Sequence, residues 1–177
     1  VFAVVYINSL TVCASGAGLQ QRSPEHVRIA SFNIQVFGTS KMAKAHVVDT
    51  LAKVIRNFDV VAIQEVRAKS NDIIPSFVKH VNADGSSYQY VIGPRLGRTV
   101  SKEQYTFLYD TRRIEVDTTS VGTMHDPGDR LHRPPFFVRF RSRMVPPEQS
   151  FTFWMINIHI RCIRSSSGYA LVKRQHL

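Results

Sequence analysis

Two apolar runs separated by an amphipathic segment constrain this chain more than any other feature. Val27–Phe37, VRIASFNIQVF, is largely apolar and carries Ser31 and Asn33 within it. Asp59–Arg67, DVVAIQEVR, is the second run. Runs of this length, with little polar alternation, read as buried strands. Gly38-Thr39-Ser40 ends the first and offers a helix cap. Val47, Val48, Leu51, Val54 and Ile55 then recur at helical spacing, which predicts a helix over 42–57. Strand–helix–strand is the pattern of an α/β layer.

The rest of the chain extends that pattern. Ile73, Ile74, Phe77, Val78 and Val81 predict a second helix over 72–82, with Pro75 tolerated in its first turn. Asn82–Ser87 reads as a polar loop. Strands are expected at Tyr88–Ile92, Gln104–Tyr109, Arg113–Thr118, Pro135–Arg141 and Phe151–Ile160, separated by polar or Gly/Pro-containing turns such as HDPGDRLHRPP. There is no internal repeat and no linker. The 177 residues suffice for one domain of ordinary size. The expected architecture is α/β, one mixed sheet with helices on one face.

Composition narrows the partners. A formal net charge of +10 favours polyanions, nucleic acid or an anionic membrane surface. Val1–Gln20 contains no charged residue, and its apolar run is followed by Ala14-Ser15-Gly16-Ala17-Gly18. That reads as the apolar core and cleavage zone of a secretory signal peptide, here without an initiator Met or a basic leader. The run is too short to span a membrane. Cleavage near Ala14 or Gly16 removes Cys13 and leaves Cys162 as the only cysteine, so no intrachain disulfide is expected.

Two polar residues inside the apolar strands point to chemistry. Asn33 and Glu65 each need a partner if buried. Their bland reading is a hydrogen-bonded structural pair. Both lie near the C-terminal ends of strands joined by a helix, the edge at which such sheets bind ligands. An amide oxygen and a carboxylate meeting there suit a hard divalent cation such as Mg²⁺.

Five stretches then occur in order: IASFNIQVFG, DVVAIQEVR, LGRTVSKEQYTFLY, HRPPFFVRF and INIHI. Together they resemble the deoxyribonuclease I family, within the endonuclease/exonuclease/phosphatase superfamily, over residues 27–160. The resemblance implies the first half of a four-layer sandwich and a secreted endonuclease hydrolysing DNA phosphodiesters with Mg²⁺ (or Mn²⁺) and Ca²⁺. It implies that Glu65 is the main metal ligand and that Asn33 holds metal or phosphate. It further implies that His159 is a general acid or base oriented by Glu103, and that Arg67, Arg98 and Arg133 bind DNA phosphates. Imidazole and carboxylate suit those roles, since one ring nitrogen bonded to a carboxylate sets the tautomer of the other.

There are departures from the family pattern. Gln35 stands where an arginine contacts DNA, and Ser101 where a tyrosine stacks in the minor groove. MHDPGD replaces a short cysteine-bridged, calcium-linked loop. The resemblance also implies actin as a partner: Tyr90 and Ile92 fit the gripping strand, whereas Gly93-Pro94-Arg95 differ from it. The GDxN turn and late SDH of the family do not occur, and His176 lacks that context. One sheet is therefore expected to lack its covering partner, the tail 161–177 to lie outside the domain, and the chain alone to be inactive or nearly so. Two alternatives stay open: a non-catalytic polyanion-binding module, and a phosphodiesterase acting on a lipid or small phosphoester.

Overall fold

A computed structural model describes Arg22 and residues 26–159. The expected signal peptide at 1–20 and tail at 161–177 lie outside the described residues. Strand β1 covers Ile29–Phe37 and β2 Val60–Val66. They pair in parallel across a crossover made of α1 (Thr39–Met42) and α2 (Ala45–Ile55). The helix predicted over 42–57 is α2, and α1 is a short extra turn ahead of it, where only a cap was expected. Lys44 N–H bonds back to Lys41 O, a tight turn that separates α1 from α2. Helix α3 (Ile73–Val81) runs into a turn of 3₁₀ helix at Asn82–Asp84, where a polar loop was expected.

Strands β3 (Tyr88–Ile92) and β4 (Gln104–Asp110) complete a four-stranded sheet of order β1-β2-β4-β3. Strands β5 (Ile114–Thr123), β6 (Phe136–Ser142) and β7 (Thr152–Asn157) form a separate antiparallel sheet of order β5-β6-β7. The one sheet expected is therefore two, and the face expected to be bare is covered within this chain. Alternation along β6 explains the arrangement. Phe136, Val138 and Phe140 are buried on one side, while Arg139 is exposed on the other. A strand apolar on one side only buries that side face to face against another sheet.

Both faces of β2 are covered, which accounts for its unbroken apolar run. Val61 and Ile63 pack with Val48, Ile55, Phe77 and Val81 on the helical side. Val60 and Ala62 pack with Phe107, Phe136, Phe140 and Met155 between the sheets. Phe107 stacks on Phe136 at 5.7 Å and meets Phe140 edge-on at 5.5 Å.

A buried ion network closes the end of the sheet where β2 starts. Asp59 and Asp110 are fully buried. Arg22 donates to Asp59 Oδ1 at 2.7 Å and to Asp110 Oδ2 at 2.5 Å. Arg113 also bonds Asp59 at 2.6 Å, and Arg112 bonds Asp110 at 3.1 Å. Burial pushes the Tyr88 hydroxyl up to about 12, so it stays protonated and donates to Phe58 O at 2.6 Å. Burial by itself would raise the Asp110 carboxyl. Hydrogen bonds from Arg112 and Arg22 outweigh it and hold Asp110 below the usual range. Arg22→Met is expected to cost about 2 kcal/mol, less than the full loss of a buried pair because Arg112 and Arg113 remain. That lowers Tm by about 4–8 °C. Thermal melts check it, and the gap from the parent should shrink below about pH 4 as Asp110 becomes protonated.

Candidate active site

The opposite end of the sheet gathers the polar residues singled out from the sequence. Asn33 lies in β1 and Glu65 in β2, both beside register shifts in the strand pairing. Glu65 adopts φ 65°, a left-handed conformation uncommon outside glycine. Asn33 Nδ2 donates to Glu65 Oε1 at 3.0 Å. Glu103, one residue before β4, is 1 % exposed. His159 lies two residues past the end of β7 rather than within a strand. Its backbone N–H donates to the Tyr105 hydroxyl at 2.9 Å.

Asn157 holds that end of β7 in place. Its Nδ2 donates to Ile63 O at 3.0 Å and to Thr106 O at 3.2 Å, and its Oδ1 accepts from Gln64 Nε2 at 2.7 Å. One buried amide thus ties the second sheet to two strands of the first. Asn157 is a polar residue in an apolar strand, the same signal that marked Asn33, and sequence reasoning passed over it.

The His159 ring bridges the two carboxylates. Nδ1 lies 3.2 Å from Glu103 Oε2. Nε2 lies 3.5 Å from both Asn33 Nδ2 and Glu65 Oε1. A carboxylate facing Nδ1 places the ring proton there and leaves Nε2 as the acceptor. Glu103 also accepts from Arg67 Nη2 at 2.6 Å and from Arg133 Nη2 at 2.9 Å. Burial by itself would raise the Glu103 carboxyl. The hydrogen bond from His159, then the charges of Arg133 and Arg67, outweigh it and hold Glu103 below the usual carboxylate range.

These groups face a cavity of about 320 Å³ lined by Glu65, Arg67, Thr99, Ser101, Glu103, His132, Arg133 and His159. Two guanidinium charges balance two carboxylates there. Arg133 Nε is buried without a hydrogen-bond partner among the described residues, while its Nη2 bonds Glu103. His132 was not anticipated; it precedes Arg133 in the chain and lines the same cavity. Arg98 does not join them. It pairs with Asp129 at 3.2 Å and bonds the Asp129 carbonyl, linking two exposed loops. Tyr90 and Ile92 lie on the edge strand β3 and pack against the helical core.

The donor chemistry fits a divalent cation at Asn33 and Glu65. Each Glu65 oxygen accepts one hydrogen bond, from Asn33 Nδ2 or from Val36 N–H, and keeps a lone pair. Asn33 Oδ1 accepts one from Gln35 N–H and keeps another. Both are hard oxygen donors. Donor atoms of Glu65, Glu103 and His159 also lie within 4.8 Å of one another. Glu103 is neutralised by Arg67 at 2.6 Å and Arg133 at 2.9 Å, whereas Glu65 meets Arg67 only at 3.7 Å, so Glu65 is the carboxylate better placed to take a cation.

The endonuclease/exonuclease/phosphatase family profile matches residues 30–169. The chain belongs to the endonuclease/exonuclease/phosphatase family. Deoxyribonucleases are among the curated proteins it resembles. Human deoxyribonuclease gamma is 36% identical over 121 residues, covering 66% of this chain and 40% of the relative. Human deoxyribonuclease-1 is 34% identical over 123 residues, covering 67% of this chain and 44% of the relative. The chain therefore spans less than half the length of these curated relatives. Among solved structures, an endonuclease/exonuclease/phosphatase family protein from Bacteroides thetaiotaomicron superposes with a TM-score of 0.50 at 16% identity. It covers 73% of this chain and 49% of that one, and supports the fold alone. No helix among the described residues is long and apolar enough to cross a membrane.

Proposed function

We propose that this chain carries part of the site of a secreted, divalent-metal-dependent endonuclease that hydrolyses DNA phosphodiester bonds. One observation carries the reading: a single imidazole is held between a buried carboxylate and the Asn33–Glu65 pair. Secretion rests on the uncharged apolar N-terminal segment. Asn33 and Glu65 would hold Mg²⁺ or Mn²⁺, with Ca²⁺ as a further ion. A cation there supplies charge neutralisation on the phosphodiester. Glu103 keeps the proton on His159 Nδ1. His159 Nε2 is then free to take a proton from the attacking water or, once protonated, to give one to the leaving oxygen. The Arg67 guanidinium, about a third accessible at the cavity, offers a phosphate oxygen charged donors, with Arg133 beside it. Such contacts read no base sequence.

The 177 residues alone are expected to leave supercoiled plasmid intact or nearly so. The test of the reading joins residues 22–159, which keep Arg22 in its ion network, to the C-terminal remainder of human deoxyribonuclease gamma. The expected result is plasmid nicking that requires Mg²⁺ and disappears in Glu65→Gln. A chimera that melts cooperatively yet hydrolyses a sphingomyelin-type substrate in preference to DNA would overturn it in favour of a lipid phosphodiesterase. Salt-sensitive DNA binding that needs no metal and survives His159→Ala, without cleavage, would identify a binding module.

A further inference from the structure

The backbone where β1 leaves its partner is strained, and none of the residues given a chemical role explains why. Gln35 and Val36 both lie in the left-handed region, at φ 52° and 57°. Neither is glycine, and for a β-branched residue such as Val36 this conformation costs about 1–3 kcal/mol unless its surroundings impose it. The kink turns two successive N–H groups toward the site. Gln35 N–H donates to Asn33 Oδ1 at 2.9 Å, and Val36 N–H donates to Glu65 Oε2 at 3.0 Å. Asn33 and Glu65 are in turn joined to each other. The kink thus fixes both side chains expected to hold the cation.

The same kink brings two carbonyls together on its other side. Those of Ile34 and Gln35 converge on the ammonium of Lys41, which donates to Ile34 O at 2.8 Å and also to Gln35 O. Lys41 reaches them from α1. That short helix is folded back by Gly38, whose carbonyl accepts from the N–H groups of Lys41 and Met42. Converging carbonyl dipoles repel one another, and a cation between them removes that cost. An ammonium can donate to both at once.

We propose that Lys41 is a positioning residue for the Asn33–Glu65 pair. It holds the left-handed kink and so keeps the Gln35 and Val36 N–H groups aimed at the two side chains. The proposal rests on the reading of Asn33 and Glu65 as cation ligands. It assigns Lys41 no contact with substrate, because two of its three donors go to carbonyls and it does not line the cavity.

Titration of the 177-residue chain with Mn²⁺, followed by the electron paramagnetic resonance of the free ion, tests it. Glu65→Gln is expected to lose binding. Lys41→Met should weaken binding by about tenfold or more, the usual effect of removing a support behind a ligand. Lys41→Arg, which keeps the charge, should recover most of the affinity. If Lys41→Met melts cooperatively and binds Mn²⁺ as the parent does while Glu65→Gln has lost it, the proposal fails and the cation reading stands. If Glu65→Gln binds like the parent, the cation reading itself fails. A lower Tm with an unchanged Kd would mark Lys41 as merely structural and also overturn the proposal. Should Lys41→Met not melt cooperatively, Lys41→Gln takes its place, with parent-like binding again the overturning result.

Discussion

His159→Ala is expected to reduce plasmid nicking by the chimera with the deoxyribonuclease gamma remainder about 10²–10⁴-fold. The ring lies between both carboxylates, at 3.2 Å and 3.5 Å, and it is the group there that can exchange a proton near neutral pH. Its side chain is 22 % exposed, so its removal leaves no closed cavity in the core. Tm should therefore move little while the rate collapses. His159→Gln keeps a polar group of similar reach but cannot shuttle a proton, so it should fall as far as alanine. Nicking assays with Mg²⁺ and melts of the same samples separate the two effects. A glutamine variant as fast as the parent would show that the ring positions rather than transfers protons.

The second large effect concerns stability. Glu103→Leu should cost about 3–5 kcal/mol, because it leaves the buried Arg133 guanidinium without its counterion and Arg67 with only the longer contact to Glu65 at 3.7 Å. Arg133 is the more exposed to this loss, since its side chain is 5 % accessible and Arg67's is 32 %. Glu103→Gln keeps the volume and two acceptor lone pairs and should cost less. The pH dependence has a definite sign. Glu103 is held below its usual range in the folded chain. Its contribution is therefore complete above about pH 4, near the unfolded value. It is lost as pH falls through the lower folded value. Urea unfolding of parent and Glu103→Leu should show the widest gap near neutrality and a closing gap in acid. A gap constant between neutrality and strong acid would mean that the charge of Glu103 does not stabilise the fold.

Much of this arrangement was legible in the chain. The runs around Asn33 and Glu65 were apolar enough to demand buried strands, and a polar side chain inside such a strand asks for a partner. Glu103 and His159 came from ordered motifs, and the fold brings both to the same cavity. Arg67 and Arg133 join them, whereas Arg98 turns to Asp129. Nothing local distinguishes these arginines, because which loop faces the cavity depends on residues far along the chain. Arg22 illustrates the same limit. Its partners Asp59 and Asp110 are 37 and 88 residues away, and no pattern near Arg22 announces them.

Periodicity along the chain determined which segments are strands and helices, because burial of one face or two leaves its mark on successive residues. It also marked the polar residues that such burial makes costly. Tertiary structure alone decided that the seven strands among the described residues divide between two sheets, since strand pairing depends on which edges meet and not on the strands' own composition. It decided, too, that Asn157 latches those sheets and that Lys41 grips a strained turn beside Glu65. In each case the partner is a backbone group, and backbone groups are the same in every sequence.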